Sequence, residues 1–430
     1  MTERDDRPFV DPGRMQEVLR HRLTRRSMMK GAGMGVAGIS LASLLAACGG
    51  GEGSGGGGAN PQEVFAGPPG DKVDFANWPL YIDQTKDNQG NVYYPSLKQF
   101  TQSTGIDVNY EAIIQSNEEF FGKIQPQLAA GDDTGWDIIV ITNGRQFTVL
   151  TANEWVYELD ASKRPNFDKN AVSFARDPAY DPGNKYSMAW QYGITGMAYN
   201  DKLSEPITKM DDLGNPDKVG KSSVGMLKSD MPDFVMINLG IDPTTSTPED
   251  WKEAAKWIQW QKDQGTVRQY YDQGYVDDFT AGNLAATMAW SGDVLYYALW
   301  AGYSNLHFVF PEDGALLWID NMLVPVAAKN PAGALEVMDW YYDPKIATEV
   351  TEWVLYMSPV EGVQDLIVKD ADKAMEQGYK GYANKLYQTA KNEYLFPSQE
   401  FLDQTSFGRS LETDDEAEEW NNIFLSITQQ

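Results

Sequence analysis

Apolar residues recur along the chain with spacings that predict strands and helices in alternation. Residues 73–77 have the pattern of a short strand, and residues 94–103 have helical spacing. Residues 117–129 predict a second helix, interrupted or kinked at Pro126. The apolar, β-branched run at residues 137–141 is typical of a strand that is buried on both faces. This order of strand, helix and strand predicts a parallel sheet covered by helices.

Two later helices carry start and stop signals. Thr247 and Asp250 have the spacing of a capping box, and Gly265 ends that helical segment. Asn330-Pro331 opens another helix, which we expect to end at Pro344. Strand-like segments occur at residues 286–289, 306–310 and 322–326. The whole pattern predicts an α/β fold.

The first sixty residues have the pattern of an export signal. Arg25-Arg26 precede a weakly apolar run, residues 31–47, which is too short and too rich in glycine for a membrane-spanning helix. Paired arginines before such a run favour the twin-arginine export route. Leu45-Ala46-Ala47-Cys48 resembles a lipobox, where bacterial lipoproteins are cut and the cysteine receives a lipid.

Cys48 is the only cysteine in the chain, and it lies where that lipid would be attached. A lipid with two acyl chains holds a protein stably at a membrane. We therefore predict a signal peptide over residues 1–47 and a flexible, Gly-rich tether over residues 48–70. The mature protein would lie at the outer face of the cytoplasmic membrane. The alternative is an unused thiol in a discarded leader.

Charge and histidine content exclude several classes of function. Asp and Glu number 62 against 35 Lys and Arg, so nucleic acid is not an expected partner. A negative surface attracts cations, although it also serves simply to keep an exported protein in solution. Only His307 remains after the signal peptide, which argues against histidine-rich metal sites and Ser-His-Asp catalysis. With 430 residues, the chain is long enough for two lobes.

Acidic and aromatic residues recur at the ends of predicted strands and helices. The recurring residues are Trp78, Tyr81, Asp230, Asp233, Trp290, Trp318, Asp320 and Tyr356. We expect Trp318 and Asp320 to stand just before a strand and Tyr356 just after a helix. Ligands of doubly wound sheets lie at the carboxyl ends of strands, where these residues could converge. Rings attract cations and carboxylates bind ammonium groups, so together they would form a slot for a linear organic cation. Taken singly, each residue also suits a core or surface position.

Six short blocks in the same order resemble the spermidine/putrescine-binding proteins of ABC importers. These blocks are Asn77-Trp78 with Tyr81, Gln115 to Glu118, Asp137 to Val140, Leu227 to Asp233, Met288 to Gly292, and Trp318 to Asp320. The resemblance extends from about residue 73 to about residue 397. It implies the type 2 periplasmic-binding-protein fold, with two lobes that are each a mixed sheet flanked by helices. Crossing strands join the lobes, and hinge closure clamps a ligand between them.

The resemblance also implies the lobe limits and a ligand site of nine residues. Lobe 1 would comprise residues 71–193 and 320–366, and lobe 2 residues 194–319 and 367–430. Four rings would line the slot: Trp78, Tyr81, Trp290 and Trp318. Three carboxylates would take the amines: Asp230, Asp233 and Asp320. Tyr356 would close one side, and Thr142 stands where the family has a serine.

The chain departs from the family pattern in four respects. Gly144 stands where the family usually has an aromatic residue, and Asp233 where it often has Glu. The family's late glutamine is not matched to a residue near the carboxyl terminus, and residues 87–93 form an insert after Tyr81. We expect a monomeric polyamine-binding protein that uses no cofactor, performs no catalysis and delivers its ligand to the permease subunits of an importer. These departures concern the identity of the polyamine more than the class of ligand.

Other functions remain open on the residues alone. The same fold could bind a quaternary ammonium compound, or ferric iron through a pair such as Tyr341-Tyr342, although helical spacing favours core positions for these tyrosines. An exported glycosidase that uses Asp230 and Asp233 as its paired carboxylates is a third reading.

Overall fold

A ten-stranded mixed sheet with helices packed around it dominates the computed structural model, which describes residues 60–87 and 89–428. A separate two-stranded sheet completes the described strands. The predicted signal peptide, its twin arginine and Cys48 lie outside the described residues. Within the described residues, no helix is both long and apolar enough to cross a membrane.

The strands are β1 (Lys72–Asn77), β2 (Thr85–Lys86), β3 (Val92–Tyr93), β4 (Asp107–Ala112), β5 (Ile138–Thr142), β6 (Ser187–Asn200), β7 (Val224–Leu227), β8 (Val267–Tyr271), β9 (Ala286–Trp290), β10 (Leu306–Val309), β11 (Ala315–Leu323) and β12 (Thr405–Phe407). The α-helices are α1 (Pro61–Val64), α2 (Pro95–Thr104), α3 (Asn117–Ala130), α4 (Arg145–Ala152), α5 (Pro165–Asn170), α6 (Pro216–Val219), α7 (Met231–Asn238), α8 (Pro248–Gln264), α9 (Tyr275–Thr280), α10 (Ser291–Leu295), α11 (Pro331–Trp340), α12 (Pro344–Val354), α13 (Val363–Glu376), α14 (Lys380–Ala390), α15 (Gln399–Leu402) and α16 (Asp414–Thr428). Short 3₁₀ helices cover Ala161–Lys163, Ser173–Ala175, Met210–Gly214 and Pro243–Thr245, and a π-helical turn covers Tyr296–Trp300.

The strand order divides the sheet into two sides around a central pair. The order is β4-β1-β5-β11-β6-β9-β7-β8. On the first side, β1 pairs in parallel with β4 and β5, and on the second side β7 pairs in parallel with β8 and β9. The predicted parallel arrangement is therefore confirmed on both sides, and β5 is buried on both faces as its apolar run predicts.

The central strands β6 and β11 run antiparallel to each other and cross from one side to the other. Their register shifts between Asp320 and Asn321, which leaves Trp190 of β6 without a counterpart on β11. This is a β-bulge, which bends a strand and redirects the side chains beside it. The irregularity in the central pair therefore lies next to Asp320.

The predicted strand at residues 322–326 is wrong in its limits. The strand β11 begins at Ala315, so Trp318 and Asp320 lie within it and do not precede it. The run Ala315-Leu316-Leu317 is buried and extends the apolar pattern toward the amino end. The sequence did not reveal this because the polar Asp320 and Asn321 interrupt the apolar run at the point where the strand lines a cleft.

The predicted start of α8 is confirmed, and the helices near Pro126 and Pro344 differ in part from the predicted ones. The hydroxyl and the backbone N–H of Thr247 both donate to Asp250 at 2.8 Å, which closes the capping box of α8. The helix α3 continues through Pro126, so it is not interrupted there, and a kink at this residue stays a prediction. Pro344 opens α12 four residues after α11 ends.

The beginning of the described chain packs on the fold. The helix α1 forms at Pro61–Val64, Phe65 is fully buried, and the Gly70 N–H donates to Asn330 Oδ1 at 2.9 Å. Residues 61–70 therefore belong to the folded unit, because a buried aromatic ring holds them, and the expected tether to residue 70 is wrong for this stretch.

Candidate functional site

A cleft lies where the carboxyl ends of β1, β5, β7 and β9 approach the crossing strands. Its cavity volume is about 370 Å³, within the range of small-molecule sites. The structure brings all nine residues of the sequence-predicted site to its lining: Trp78, Tyr81, Thr142, Asp230, Asp233, Trp290, Trp318, Asp320 and Tyr356. They come from segments up to 278 residues apart in sequence, which strands and helices of the fold bring together.

Asp320 lies at the floor of the cleft with one hydroxyl donor on each carboxylate oxygen. Tyr81 Oη donates to Oδ2 at 2.7 Å, and Thr142 Oγ1 donates to Oδ1 at 2.6 Å. Thr142 and Asp320 are direct partners in the antiparallel pairing of β5 with β11, which explains their contact. The Asn117 side chain in turn donates to Thr142 Oγ1 at 2.9 Å. The strand pairing therefore fixes the orientation of this carboxylate.

Burial raises the pKa of Asp320 from 3.8 to about 6, because only 5% of the residue is exposed. The hydroxyls of Thr142 and Tyr81 counteract this rise because they bind the ionised form, whereas the negative charge of Asp230 adds to it. The cleft thus contains a carboxylate whose negative charge is poorly compensated by the protein. A cation brought beside it would favour the ionised form.

Asp230 lies after β7 and is held by three donors. Trp290 Nε1 donates to its Oδ2 at 2.9 Å, the Thr195 hydroxyl donates to the same oxygen, and Ser229 Oγ donates to Oδ1 at 2.6 Å. Trp290 and Thr195 are direct partners in the pairing of β9 with β6. The same strand pair therefore positions both the carboxylate and the ring beside it.

Asp233 lies one helical turn further along, in the first turn of α7. The backbone N–H of Arg409 donates to its Oδ1 at 3.0 Å. A Cβ at Gly408 would lie 2.6 Å from Asp233 Oδ2, so only glycine allows the backbone to come this close. Burial raises the pKa of Asp233 from 3.8 to about 7, and the nearby charge of Asp230 acts in the same direction.

Three aromatic rings form a continuous wall. The ring centroids of Tyr81 and Tyr356 lie 5.3 Å apart at an interplanar angle of 89°, and those of Trp318 and Tyr356 lie 5.5 Å apart. Two glycines make room for this wall. A Cβ at Gly193 would lie 2.5 Å from the Trp318 ring, and one at Gly292 would lie 2.7 Å from the Tyr356 ring.

Two further rings occupy other parts of the lining. Trp78 follows β1, and its Nε1 donates to the Val140 carbonyl at 3.3 Å. Trp290 ends β9 and packs edge-on against Tyr275, with centroids 5.9 Å apart. Each ring is therefore held by a neighbouring strand or helix and presents its remaining surface to the cleft.

Sequence reasoning missed Asp293, which also lines the cleft. It lies in the first turn of α10, three residues after Trp290, and its Oδ2 accepts a hydrogen bond from Tyr275 Oη at 3.1 Å. Asp293 follows β9 closely, as Asp230 follows β7, so an acidic residue shortly after a strand end is the signal that could have found it. Arg145 and Arg409 also line the cleft, and nothing in their local sequence indicates this.

The departures from the family pattern fall in different places. Gly144 lines the cleft with φ 130°, a backbone conformation that favours glycine. The insert forms most of the small hairpin of β2 and β3, and its described residues are not among those that line the cleft. The space that an aromatic residue would occupy at Gly144 thus remains part of the cavity.

Tyr341 and Tyr342 are buried away from the cleft. Tyr342 Oη donates to the Ala189 carbonyl at 2.7 Å, and Tyr341 Oη lies 3.0 Å from Ser96 Oγ. Neither hydroxyl is presented to the cavity, so this pair does not form an iron site there. The described part of the chain contains no cluster of three His, Cys, Asp or Glu side chains suited to a metal ion.

Known proteins share this architecture and parts of this sequence. A family model described as bacterial extracellular solute-binding protein matches residues 96–377. The spermidine/putrescine-binding periplasmic protein 1 of Haemophilus influenzae is 29% identical over 258 residues, which cover 59% of this chain and 69% of that protein. The putrescine-binding periplasmic protein PotF of Escherichia coli is 27% identical over 291 residues, which cover 63% of this chain and 76% of that protein.

A solved structure agrees with the fold. The crystal structure of a spermidine/putrescine ABC transporter substrate-binding protein from Streptococcus pneumoniae superposes with a TM-score of 0.66 at 22% identity. The match covers 84% of this chain and 99% of that one, which confirms the predicted type 2 periplasmic-binding-protein fold. With two thirds of its length matched by the family model, the chain belongs to the bacterial extracellular solute-binding protein family.

Proposed function

We propose that this protein captures a polyamine in its cleft and delivers it to an ABC importer. The observation that carries the proposal is the convergence of buried carboxylates and aromatic rings on one cavity. A protonated polyamine alternates ammonium groups with methylene chains, and this lining offers acceptors for the former and apolar faces for the latter. The names of the relatives point to the same ligand class.

Asp320 is the proposed site of one ammonium group. Each of its oxygens already accepts one hydroxyl hydrogen bond and retains lone-pair capacity for a further donor. The charge-assisted bond to an ammonium group would offset the cost of burying this carboxylate. The rings of Trp318 and Tyr356 would contact the adjacent methylenes and attract the cation, at about 0.5–2 kcal/mol for each ring.

Asp230 and Asp293 are the proposed acceptors for the other amines. Both face the cavity from the second side of the sheet, whereas Thr142 and Trp78 line it from the first side. A ligand that contacts both sides at once would stabilise a closed cleft. A micromolar affinity corresponds to a binding free energy of about −8 kcal/mol. Two or three charge-assisted hydrogen bonds and several ring contacts can supply this after the entropic cost of association is subtracted.

The two sides of the sheet correspond to the proposed lobes. We propose lobe 1 over residues 71–193 and 320–366 and lobe 2 over residues 194–319 and 367–430. The limits at 193 and 319 fall inside the crossing strands β6 and β11, where a hinge is expected. The limit at 366 falls inside the continuous helix α13, so it should move to an end of that helix.

Export and anchoring rest on the leader sequence. We propose that residues 1–47 direct export and that Cys48 carries a lipid, with residues 49–60 as the free part of the tether. The protein would then act as a monomer at the outer face of the cytoplasmic membrane. The relatives in Haemophilus influenzae and Escherichia coli are periplasmic, which agrees with export.

A thermal-shift titration tests the ligand class. Putrescine, spermidine and spermine are compared with choline and arginine on purified protein, because a ligand that binds only the folded state raises the melting temperature with concentration. We expect at least one polyamine to raise the melting temperature and choline and arginine to leave it unchanged. The rise should be lost in Trp318→Ala. A shift with choline alone would instead indicate a quaternary ammonium ligand, and turnover of a chromogenic glycoside would indicate an enzyme.

A further inference from the structure

The segment between β12 and α16 lines part of the cleft and contacts both sides of the sheet. Residues 408–413, called the strap here, follow β12, which pairs with the amino-terminal half of β11. The helix α16 that follows packs against α8, which connects β7 with β8 on the second side. Gly408, Arg409 and Leu411 of the strap line the cavity.

Arg145 joins the strap to the first side. It opens α4, directly after β5 and Gly144. Its Nη1 donates to the carbonyls of Leu411 at 3.0 Å and Thr413 at 3.1 Å, and its Nη2 donates to Asp414 Oδ1 at 2.6 Å. The side chain of Asp414 is 98% exposed, so the ion pair itself contributes little. The two carbonyl bonds from one guanidinium, which is only 24% exposed, form the substantial part of the contact.

A second contact supports the first. Thr148, one helical turn along α4, has its Oγ1 2.7 Å from Ser410 Oγ. Arg145 and Thr148 thus lie on one face of α4, and both form hydrogen bonds to the strap.

The other end of the strap holds Asp233. The Arg409 N–H donates to Asp233 Oδ1, and Gly408 lies against Oδ2. The Arg409 guanidinium donates to the Thr244 carbonyl and to Glu416, both at 2.7 Å, which fixes this end to the second side. Both oxygens of Asp233 are therefore covered by the strap, and Asp233 is only 8% exposed.

We propose that Arg145 is a positioning residue for ligand binding, which holds the strap against the cleft and through it fixes the Asp233 carboxylate. These contacts join protein groups from the two sides of the sheet, so they stabilise the arrangement in which the strap connects the two sides. A bound ligand would have to wait for the strap to detach before it could leave. In this arrangement Asp233 acts by holding the strap and does not contact an amine directly. The proposal rests on the polyamine function for its ligand and on the contacts of the strap for its mechanism.

The test uses Arg145→Gln in the full-length protein, with Arg176→Gln as a matched control. Arg176 also donates to two backbone carbonyls, those of Ala171 and Lys169, but on its own side and away from the cleft. Hydrogen exchange of the peptide that contains the strap is measured by mass spectrometry without ligand, and polyamine dissociation is measured by stopped flow.

We expect faster exchange in the strap of Arg145→Gln, dissociation faster by about tenfold, and association within about twofold of the wild type. Arg145→Lys keeps the charge but lacks the two-pronged donor geometry of a guanidinium, so its exchange and dissociation rates should lie between those of the wild type and Arg145→Gln. Unchanged exchange and unchanged dissociation in Arg145→Gln would overturn the proposal. If the wild type binds no polyamine while exchange in the strap still rises in the variant, the ligand assignment fails and the role of the strap stands.

Discussion

Replacing Asp320 with Asn should stabilise the ligand-free protein at neutral pH while abolishing ligand binding. Burial raises the pKa of Asp320 in the folded state from 3.8 to about 6. Between these pH values the folded state binds more protons than the unfolded state, so the free energy of unfolding falls as the pH rises through this window. The destabilisation is fully present above pH 6 and absent well below pH 4. Asn carries no charge and escapes this cost.

The size of the effect follows from the same values. A pKa raised from 3.8 to about 6 corresponds to about 3 kcal/mol of destabilisation at neutral pH. In the variant only the amide oxygen accepts a hydrogen bond, so one of the two hydroxyls of Tyr81 and Thr142 must accept from the amide NH2 instead of donating. This loss offsets part of the stabilisation and leaves a net gain of about 1–3 kcal/mol in the free energy of unfolding. For a chain of this length, that corresponds to a melting temperature higher by about 1–4 °C.

Thermal unfolding followed by circular dichroism between pH 4 and pH 8 is the assay. The melting temperature of Asp320→Asn should exceed that of the wild type at pH 7.5. This difference should shrink below pH 6 and vanish near pH 4. The exposed Asp415→Asn serves as the control and should not melt above the wild-type temperature at pH 7.5. A variant that melts at or below the wild-type temperature at pH 7.5 would refute the argument that the cleft stores an uncompensated charge.

Three further outcomes are expected. Polyamine affinity should fall as the pH is lowered from 8 to 5.5 in calorimetric titrations, because Asp320, whose pKa is about 6, takes up a proton and loses the charge that attracts the cation. Gly193→Ala should weaken binding by about tenfold or more in the same titrations with the fold retained, because its Cβ would lie 2.5 Å from the Trp318 ring and displace it. Cys48→Ser should move the protein from the membrane fraction to the soluble fraction after cell fractionation, because the lipid is lost.

Each of these outcomes has a comparison that can contradict it. Affinity that rises or stays constant toward pH 5.5 would mean that ionised carboxylates do not hold the ligand. Gly122→Ala on α3, where a Cβ meets nothing within 4 Å, is the matched control for Gly193→Ala, and equal affinities in both variants would contradict the fitted ring wall. Membrane association that survives in Cys48→Ser would contradict lipid anchoring.

Local signals in the sequence were sufficient for most elements of the fold. The β-branched run before Thr142 gave a buried strand, and the spacing of Thr247 and Asp250 gave a capped helix. Both signals depend on residues close in sequence. The start of β11 could not be found this way, because Asp320 is a buried charge within a strand and its partners Tyr81 and Thr142 are more than 170 residues away.

Some residues of the site could likewise be recognised from the sequence and others could not. Acids and rings at strand ends could be recognised, since the carboxyl ends of parallel strands meet in one place. The glycines that make room for the rings could not, because the need for Gly193 arises only when β6 pairs with β11 and brings Trp318 opposite it. Likewise, Arg145 and the strap are 266 residues apart where they meet at Leu411, and no local pattern links them.

Isothermal titration calorimetry of ligand-stripped protein with putrescine and spermidine at pH 8 tests the central claim most directly. The account predicts saturable binding of at least one of the two with one site per chain, no heat of binding with choline, and no binding in Asp320→Asn. Folded, ligand-free protein that shows no binding to either polyamine would contradict the assignment of the cleft, while leaving the fold and the family unchanged.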